Sequence, residues 1–237
     1  MKIEILYPEI CTLYGDKGNT MYLQKCLPDA EFVTTGLNEK PLFLRENIDM
    51  VYMCSMSEKS QELVLDRLMQ YKDEIAACMK DGKALFLLVG NSMELLGDYI
   101  KREDGTRVTG LGVVPGMYSV RQAPNRFNTL IKAKFNDMTL IGYTSRFAHT
   151  YGIPEDMTFC KVEIGQGSNP DTMNEGICKN RVIATYIHGP LLIQNPDFVH
   201  YLLEKLDAPM KEIPFEAAMR KAYDVKLAES VSYTHLT

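Results

Sequence analysis

The sequence lacks an excess of basic residues and lacks any long hydrophobic segment. Lys and Arg number 26 against 31 Asp and Glu, which gives a formal net charge of −5. Binding to nucleic acid phosphates needs a basic surplus, so we expect no nucleic acid partner. No apolar run reaches the roughly 18 residues of a membrane-spanning helix. The first segment, Met1 to Tyr7, is too short and too charged for a signal peptide, which predicts a cytoplasmic protein.

Paired cysteines and internal boundaries are also missing. The six cysteines form no C-x-x-C pair and fit no zinc spacing, so we predict buried thiols, no metal site and no cofactor. No repeat, low-complexity stretch or long linker divides the chain. Residues 1–228 are therefore predicted to form one domain. Residues 229–237, which carry little pattern, are interpreted as a disordered or vector-derived tail.

The chain instead contains alternating strand-like and helix-like segments. Two continuous apolar runs, Asp49–Cys54 and Ala84–Val89, are typical of strands covered on both faces, and Gln61–Lys80 has the period of a helix. Other strands are predicted at Lys2–Tyr7, Glu31–Thr34, Thr129–Phe135, Thr139–Tyr143 and Arg181–Ile187, and other helices at Asn19–Cys26, Met93–Ile100, Pro196–Leu206 and Pro214–Leu227. This order predicts an α/β fold with a single doubly wound, mostly parallel sheet and some antiparallel edge strands.

Two predicted strand ends carry residues that could do chemistry. After the strand Ala84–Val89 the chain turns through small residues straight into a predicted helix, which is the geometry of a nucleophile elbow. Ser92 in that turn is predicted to cap the helix. The strand Arg181–Ile187 ends at His188-Gly189-Pro190, where an imidazole could act as a general base. The spacing alone leaves open whether His188 is catalytic or only hydrogen-bonded within the structure.

Several short segments of the chain together match the motifs of one known family. They span roughly residues 1–206 and include Leu13-Tyr14-Gly15-Asp16-Lys17-Gly18-Asn19, Gly110-Leu111-Gly112, Arg126-Phe127-Asn128, Gly165-Gln166-Gly167-Ser168-Asn169 and Thr185-Tyr186-Ile187-His188-Gly189-Pro190. With these segments the chain resembles the class I glutamine amidotransferases. Within this group the chain is similar to the amidotransferase subunit of bacterial lipid II isoglutaminyl synthase, which is related to the amidotransferase domain of cobyric acid synthase. The resemblance implies a flavodoxin-like class I amidotransferase fold.

The resemblance also implies a reaction and a set of residues. In this family a cysteine thiolate attacks the side-chain amide of glutamine, a histidine moves protons, and ammonia passes to a partner that consumes ATP. It assigns His188 as the base and Arg126 as a substrate-binding residue. It implies glutamine as a ligand and a Mur-ligase-like subunit as the partner.

Three departures from the family pattern affect the predicted chemistry. Alignment on Glu94-Leu95-Leu96-Gly97 places Gly90 where the family has its nucleophilic cysteine. Cys54 and Ser55 stand in the stretch where the family has an oxyanion-binding glycine loop. Where the family has a Phe-Glu-Asn-His run, this chain has Gly142-Tyr143-Thr144-Ser145-Arg146. We therefore predict that glutaminase activity is weak or absent.

Four functions stay open at this point. The chain could still supply ammonia to a ligase that amidates a cell-wall precursor, with a substitute nucleophile such as Ser92 or Cys54. It could be a non-catalytic scaffold or regulator of that ligase. It could bind an amino acid through Arg126. Finally, it could be an amidotransferase related to cobyric acid, and hence cobalamin, synthesis.

Overall fold

The computed structural model describes residues 1–233 and centres on a nine-stranded sheet. Five parallel strands form one half of that sheet, in the spatial order β2-β1-β3-β4-β13. They are β1 (Lys2–Leu6), β2 (Glu31–Thr35), β3 (Met50–Met53), β4 (Leu85–Val89) and β13 (Val182–Thr185). Every residue of β3, β4 and β13 is buried, as expected for strands covered on both faces.

Antiparallel strands make up the other half of the sheet. They continue from β13 in the order β12 (Asn174–Lys179), β11 (Thr158–Ile164), β8 (Phe127–Phe135) and β9 (Met138–Arg146). The prediction of an α/β sheet with parallel and antiparallel parts is confirmed. A separate four-stranded sheet was not predicted; it consists of β10 (Ala148–Tyr151), β7 (Tyr118–Arg121), β5 (Tyr99–Lys101) and β6 (Arg107–Thr109).

Six α-helices occur in the described part of the chain. They are α1 (Lys17–Cys26), α2 (Glu58–Met69), α3 (Lys72–Asp81), α4 (Leu191–Gln194), α5 (Pro196–Lys205) and α6 (Glu216–Tyr233). Short 3-10 segments occur at Leu13–Gly15, Leu42–Leu44, Gly90–Leu96 and Glu155–Met157. Helix α6 continues through residues 229–233 of the segment interpreted as a tail; residues 234–237 lie outside the described residues. No helix in the described range is long and apolar enough to cross a membrane.

The single helix predicted at Gln61–Lys80 is wrong, because the chain breaks it into α2 and α3. Tyr71 has φ −115° and ψ 15°, which is not helical. Lys40 lies 4.9 Å from the Tyr71 ring and forms an ion pair with Glu74 of α3 at 2.7 Å. These contacts come from a distant segment, and the hydrophobic period runs through the break, so the pattern alone reads as one helix.

The helix predicted at Met93–Ile100 is also wrong. Residues 90–96 form a 3-10 segment and residues 99–101 form strand β5. Backbone bonds to other strands fix this path: Asp98 N donates to Met117 O at 2.7 Å, and Gly110 N donates to Asp98 O at 2.8 Å. Ser92 caps no helix; its hydroxyl donates to Val89 O at 2.8 Å.

Candidate functional site

Four loops meet at the carboxyl ends of the parallel strands, where open α/β sheets place their sites. Asp16 belongs to the loop after β1, Ser55 follows β3, Gly90 follows β4, and His188 follows β13. Asp16, Ser55 and His188 are each at most 1% exposed. We call Asp16, Ser55, Gly90 and His188 the strand-end cluster.

His188 is fixed by its backbone and by two tyrosine rings. Its N–H donates to Tyr143 O of β9 at 2.8 Å. Its imidazole centroid lies 4.7 Å from the Tyr14 ring centroid and 5.8 Å from that of Tyr143. A strand of the antiparallel half of the sheet therefore positions His188, which follows the parallel strand β13.

Asp16 connects His188 and Ser55 within the cluster, a role that was not predicted from the sequence. One oxygen, Oδ2, lies 2.9 Å from His188 Nδ1 and accepts a hydrogen bond from Ser55 Oγ at 3.0 Å. The other oxygen, Oδ1, is buried without a hydrogen-bond partner among the described residues. Tyr52 Oη donates to the Asp16 carbonyl at 2.9 Å, which holds this loop. The only signal in the sequence was an acid in the Leu13–Asn19 segment.

Gly90 lies against Ser55 and His188 with φ +72°, a conformation that favours glycine. A Cβ built at Gly90 would overlap Ser55 Oγ and lie 2.5 Å from His188 Cε1. The hydroxyl of Ser55 therefore fills the space that the first side-chain atom of any residue at position 90 needs. The structure brings Gly90, Ser55 and His188 together.

Cys54 does not join this cluster. Its Sγ lies 2.5 Å from the carbonyl oxygen of Cys11, and the side chain is 3% exposed. Burial, followed by the charge of Asp16, raises the pKa of the Cys54 thiol to about 12. A thiol with this pKa is protonated at neutral pH, so it is a poor nucleophile.

Arg126 is exposed, and its guanidinium lies 4.5 Å from the centroid of the Phe147 ring. Within the described residues no hydrogen bond or ion pair joins it to the strand-end cluster. Its role in binding a substrate stays a prediction.

Glu94 lies in a second buried polar group beside the cluster. Its two oxygens accept hydrogen bonds from Tyr186 Oη and Gln61 Nε2, both at 2.9 Å. Burial raises the pKa of the Glu94 carboxyl, and these two bonds oppose the shift. Arg121 extends the group by donating to Gln61 Oε1 at 3.0 Å and to Glu62 Oε1 at 2.7 Å.

The order of contacts in the strand-end cluster limits its chemistry. In a serine relay the acid and the nucleophile lie at opposite nitrogens of the imidazole. Here Ser55 Oγ at 3.1 Å and Asp16 Oδ2 at 2.9 Å both lie at His188 Nδ1. The imidazole therefore cannot take the Ser55 proton on one side while Asp16 holds it from the other. No group of His, Cys, Asp and Glu side chains suited to a metal ion occurs in the described part of the chain.

The mixed sheet, with its loops meeting at the carboxyl ends of the parallel strands, defines an open α/β protein. Comparison with known proteins identifies its family. The chain belongs to the CobB/CobQ-like glutamine amidotransferase domain family, whose model matches residues 2–196. The family predicted from the sequence is confirmed; the assignment of Gly90 to the nucleophile position stays a prediction.

Two curated relatives carry the same name. The chain is 28% identical over 207 residues to the lipid II isoglutaminyl synthase (glutamine-hydrolyzing) subunit GatD of Staphylococcus aureus, covering 86% of this chain and 83% of the relative. It is 26% identical to the subunit of that name from Streptococcus pneumoniae, covering 86% and 79%.

Solved structures support the fold. A glutamine amidotransferase matches with a TM-score of 0.56 and 13% identity, covering 86% of this chain and 98% of that chain. A glutamine amidotransferase of Thermotoga maritima matches with a TM-score of 0.52 and 14% identity, covering 97% and 93%. The predicted class I amidotransferase fold is confirmed.

Proposed function

We propose that this chain is the amidotransferase-type subunit of a complex that amidates a cell-wall precursor, and that it does not itself hydrolyse glutamine. In this proposal a Mur-ligase-like partner carries out the ATP-dependent step in the cytoplasm and uses free ammonia. The names of the two curated relatives, each matched over most of its length, support the cell-wall assignment over the alternative of cobyric acid synthesis.

One observation carries the loss of hydrolysis: the space beside Gly90 is filled by the Ser55 hydroxyl. Hydrolysis of glutamine through a covalent intermediate needs a nucleophile, a base and oxyanion donors around a space that the side-chain amide can enter. Position 90 offers no nucleophilic side chain, and the side chain of Ser55 fills the space next to His188. Ser55 and His188 are each 1% exposed, so a glutamine amide has no path to the imidazole without rearrangement.

The substitute nucleophiles considered from the sequence receive no support. Ser92 donates its hydroxyl proton to the carbonyl of Val89 at 2.8 Å and is buried. Cys54 is held protonated by its raised pKa of about 12. The binding of an amino acid through Arg126 is also weakly supported, because its exposed guanidinium lies on Phe147 rather than in the cluster.

A second candidate is hydrolysis by Ser55 itself. Its Oγ lies 3.1 Å from His188 Nδ1, a hydrogen-bonding distance for a nucleophile and its base. Two features argue against this candidate: Ser55 and Asp16 lie at the same nitrogen of His188, and Ser55 is buried. The cluster is therefore better suited to holding the loops together than to catalysis.

The test is ammonia release from glutamine, measured on the purified chain alone and co-expressed with the Mur-ligase-like chain. We expect no release in either case, and we expect the complex to amidate its acceptor with ammonium chloride but not with glutamine. Release that Ser55→Ala abolishes would establish the second candidate. Release that His188→Ala abolishes while Ser55→Ala retains it would show another nucleophile and overturn the proposal.

A further inference from the structure

An open apolar groove lies between helices α1 and α6. We call it the α1/α6 groove. It is a cavity of about 580 Å³, and residues of α4 also line it. Three of its lining side chains are exposed apolar residues: Met21 is 58% exposed, Ile193 37% and Phe215 69%. Exposed apolar residues grouped in this way mark interaction sites.

The uncharged polar side chains of the groove walls are already bonded within the chain. Tyr22 Oη donates to Pro214 O at 2.7 Å, and Tyr223 Oη donates to Thr139 O at 2.9 Å. Gln194 Oε1 accepts a bond from Lys226 at 2.8 Å. Pockets for small metabolites present polar groups that orient the ligand. These walls instead offer apolar contact, which suits the side chains of a polypeptide.

The shape of the groove suits a helix. Residues 218, 219, 222, 223 and 226 of α6 line it, and this spacing of three and four places them on one face of the helix. Helix α1 forms the opposite wall. An amphipathic helix that lays its apolar face between two helices is a recurrent mode of recognition.

The positive charge at the groove indicates what kind of partner would bind there. Lys25 and Lys226 are the charged side chains that line it, and no Asp or Glu of the described residues does so. A partner with carboxylates beside its apolar face would complement them. In a symmetric dimer the same patch faces itself, and this patch carries no carboxylate that could pair with the lysines of the other copy. The charge therefore favours an acidic partner over a second copy of this chain.

Two of the segments that line the groove directly follow loops of the strand-end cluster. Helix α1 begins directly after Asp16, and α4 begins shortly after His188. At Gly18 a built Cβ would lie 2.6 Å from Pro190 Cγ, so the absence of a side chain lets these two segments touch. A helix in the groove would thus contact the same two segments that carry Asp16 and His188.

We propose that the α1/α6 groove seats an amphipathic helix of the Mur-ligase-like partner, with its carboxylates facing Lys25 and Lys226. This inference rests on the proposed function, which supplies the partner. The helix contributes apolar side chains between Met21, Ile193 and Phe215.

The test is the dissociation constant between the purified chain and the Mur-ligase-like chain of the same organism, measured by calorimetry. Phe215→Glu should weaken binding by about 100-fold, as expected for an interface anchor. Met21→Glu should weaken it by about 10-fold, and Lys25→Glu by about 5-fold with a smaller dependence on salt. The controls are Met173→Glu, where Met173 is 43% exposed elsewhere, and Lys221→Glu on α6 outside the groove; both should stay within about twofold.

Each outcome separates the two proposals. If the wild-type chain does not bind the Mur-ligase-like chain at all, the proposed function fails and this inference fails with it. If it binds and the three groove variants bind as tightly as the controls, the groove inference is overturned while the proposed function stands. Dimers or binding to phosphatidylglycerol vesicles, abolished by Phe215→Glu while ligase binding persists, would assign the groove to a second copy or to a membrane.

A second measurement identifies the occupant. A photoreactive phenylalanine in place of Ala222 should cross-link, within the purified complex, to a partner segment with apolar residues three and four apart and nearby Asp or Glu. Cross-links to a polar loop, or cross-links as strong from position 173, would contradict the seated helix.

Discussion

Helix α1 lies between two regions that differ in kind. At its start, Asp16 lies in the strand-end cluster, where the side chains are buried and bonded to one another. On its outer face, Met21 and Lys25 line the α1/α6 groove, where apolar side chains remain exposed. A closed cluster at the strand ends and an exposed apolar surface on α1 fit the proposed function, in which the subunit acts by binding. Variants of each region can break or sharpen this comparison.

The largest effect is expected from Asp16→Ala. This change leaves His188 Nδ1 and Ser55 Oγ without the carboxylate that they share, and leaving buried polar groups without a hydrogen-bond partner costs about 3 kcal/mol. Urea unfolding followed by circular dichroism measures the loss. The control is Asp224→Ala at an exposed position on α6, with an expected change within about 0.5 kcal/mol. Equal stability of the two variants would show that the cluster does not hold the loops.

The next effect concerns Gly90 and Ser55 together. Gly90→Cys should destabilise the chain by about 2 kcal/mol, because its Cβ meets Ser55 Oγ and its φ is positive. Ser55→Gly in the same chain removes the overlap, so the pair should show a favourable coupling of at least about 1 kcal/mol.

Glutaminase assays sharpen the same test. We expect ammonia release only from the double variant, and we expect His188→Ala in that background to remove it. Additive stabilities, or release from Gly90→Cys alone, would show that Ser55 does not block position 90.

A third test measures how stability depends on pH through the ion pairs of Glu62, which lie at the outer edge of the Glu94 group. Hydrogen bonds from Arg102, followed by those from Arg121, lower the pKa of Glu62 to about 2 from 4.5. A lowered pKa in the folded state stabilises the protein above pH 4.5, and this contribution is lost as the pH falls towards 2. Glu62→Gln should therefore cost about 1 kcal/mol at neutral pH, and the difference from wild type should shrink at acid pH.

Urea unfolding between neutral and acid pH provides the measurement. Arg102→Ala should reproduce most of the neutral-pH loss, because Arg102 gives the largest contribution to the Glu62 shift. A stability difference that is constant with pH would contradict this origin.

The smallest effect is expected from Arg126→Ala. The guanidinium is exposed on Phe147, so the free energy of unfolding should change by no more than about 0.5 kcal/mol. Thermal shift with millimolar glutamine should be the same in wild type and variant. Glutamine protection that Arg126→Ala removes would instead favour the amino-acid-binding function.

Local patterns in the sequence predict the central strands and most helices. A continuous apolar run indicates a strand buried on both faces, and a helical period indicates a helix, and both patterns are visible within one short segment. Strand β5 could not be predicted, because it is placed in a sheet by backbone hydrogen bonds between Asp98 and two residues farther along the chain, Met117 and Gly110. His188 was found from its place at a strand end. Asp16, which lies 172 residues away along the chain, was not, because only the folded chain brings the two together.

The Ser55 hydroxyl at Gly90 also constrains how this chain could evolve. Gly90→Cys alone introduces an overlap, and Ser55→Gly alone removes the hydrogen bond that Ser55 donates to Asp16. Each of these single changes is thus less stable than its starting point. A cysteine at position 90 also needs a small shift of His188, whose Cε1 lies 2.5 Å from the built Cβ. We therefore expect the residues at positions 55 and 90 to covary among related sequences.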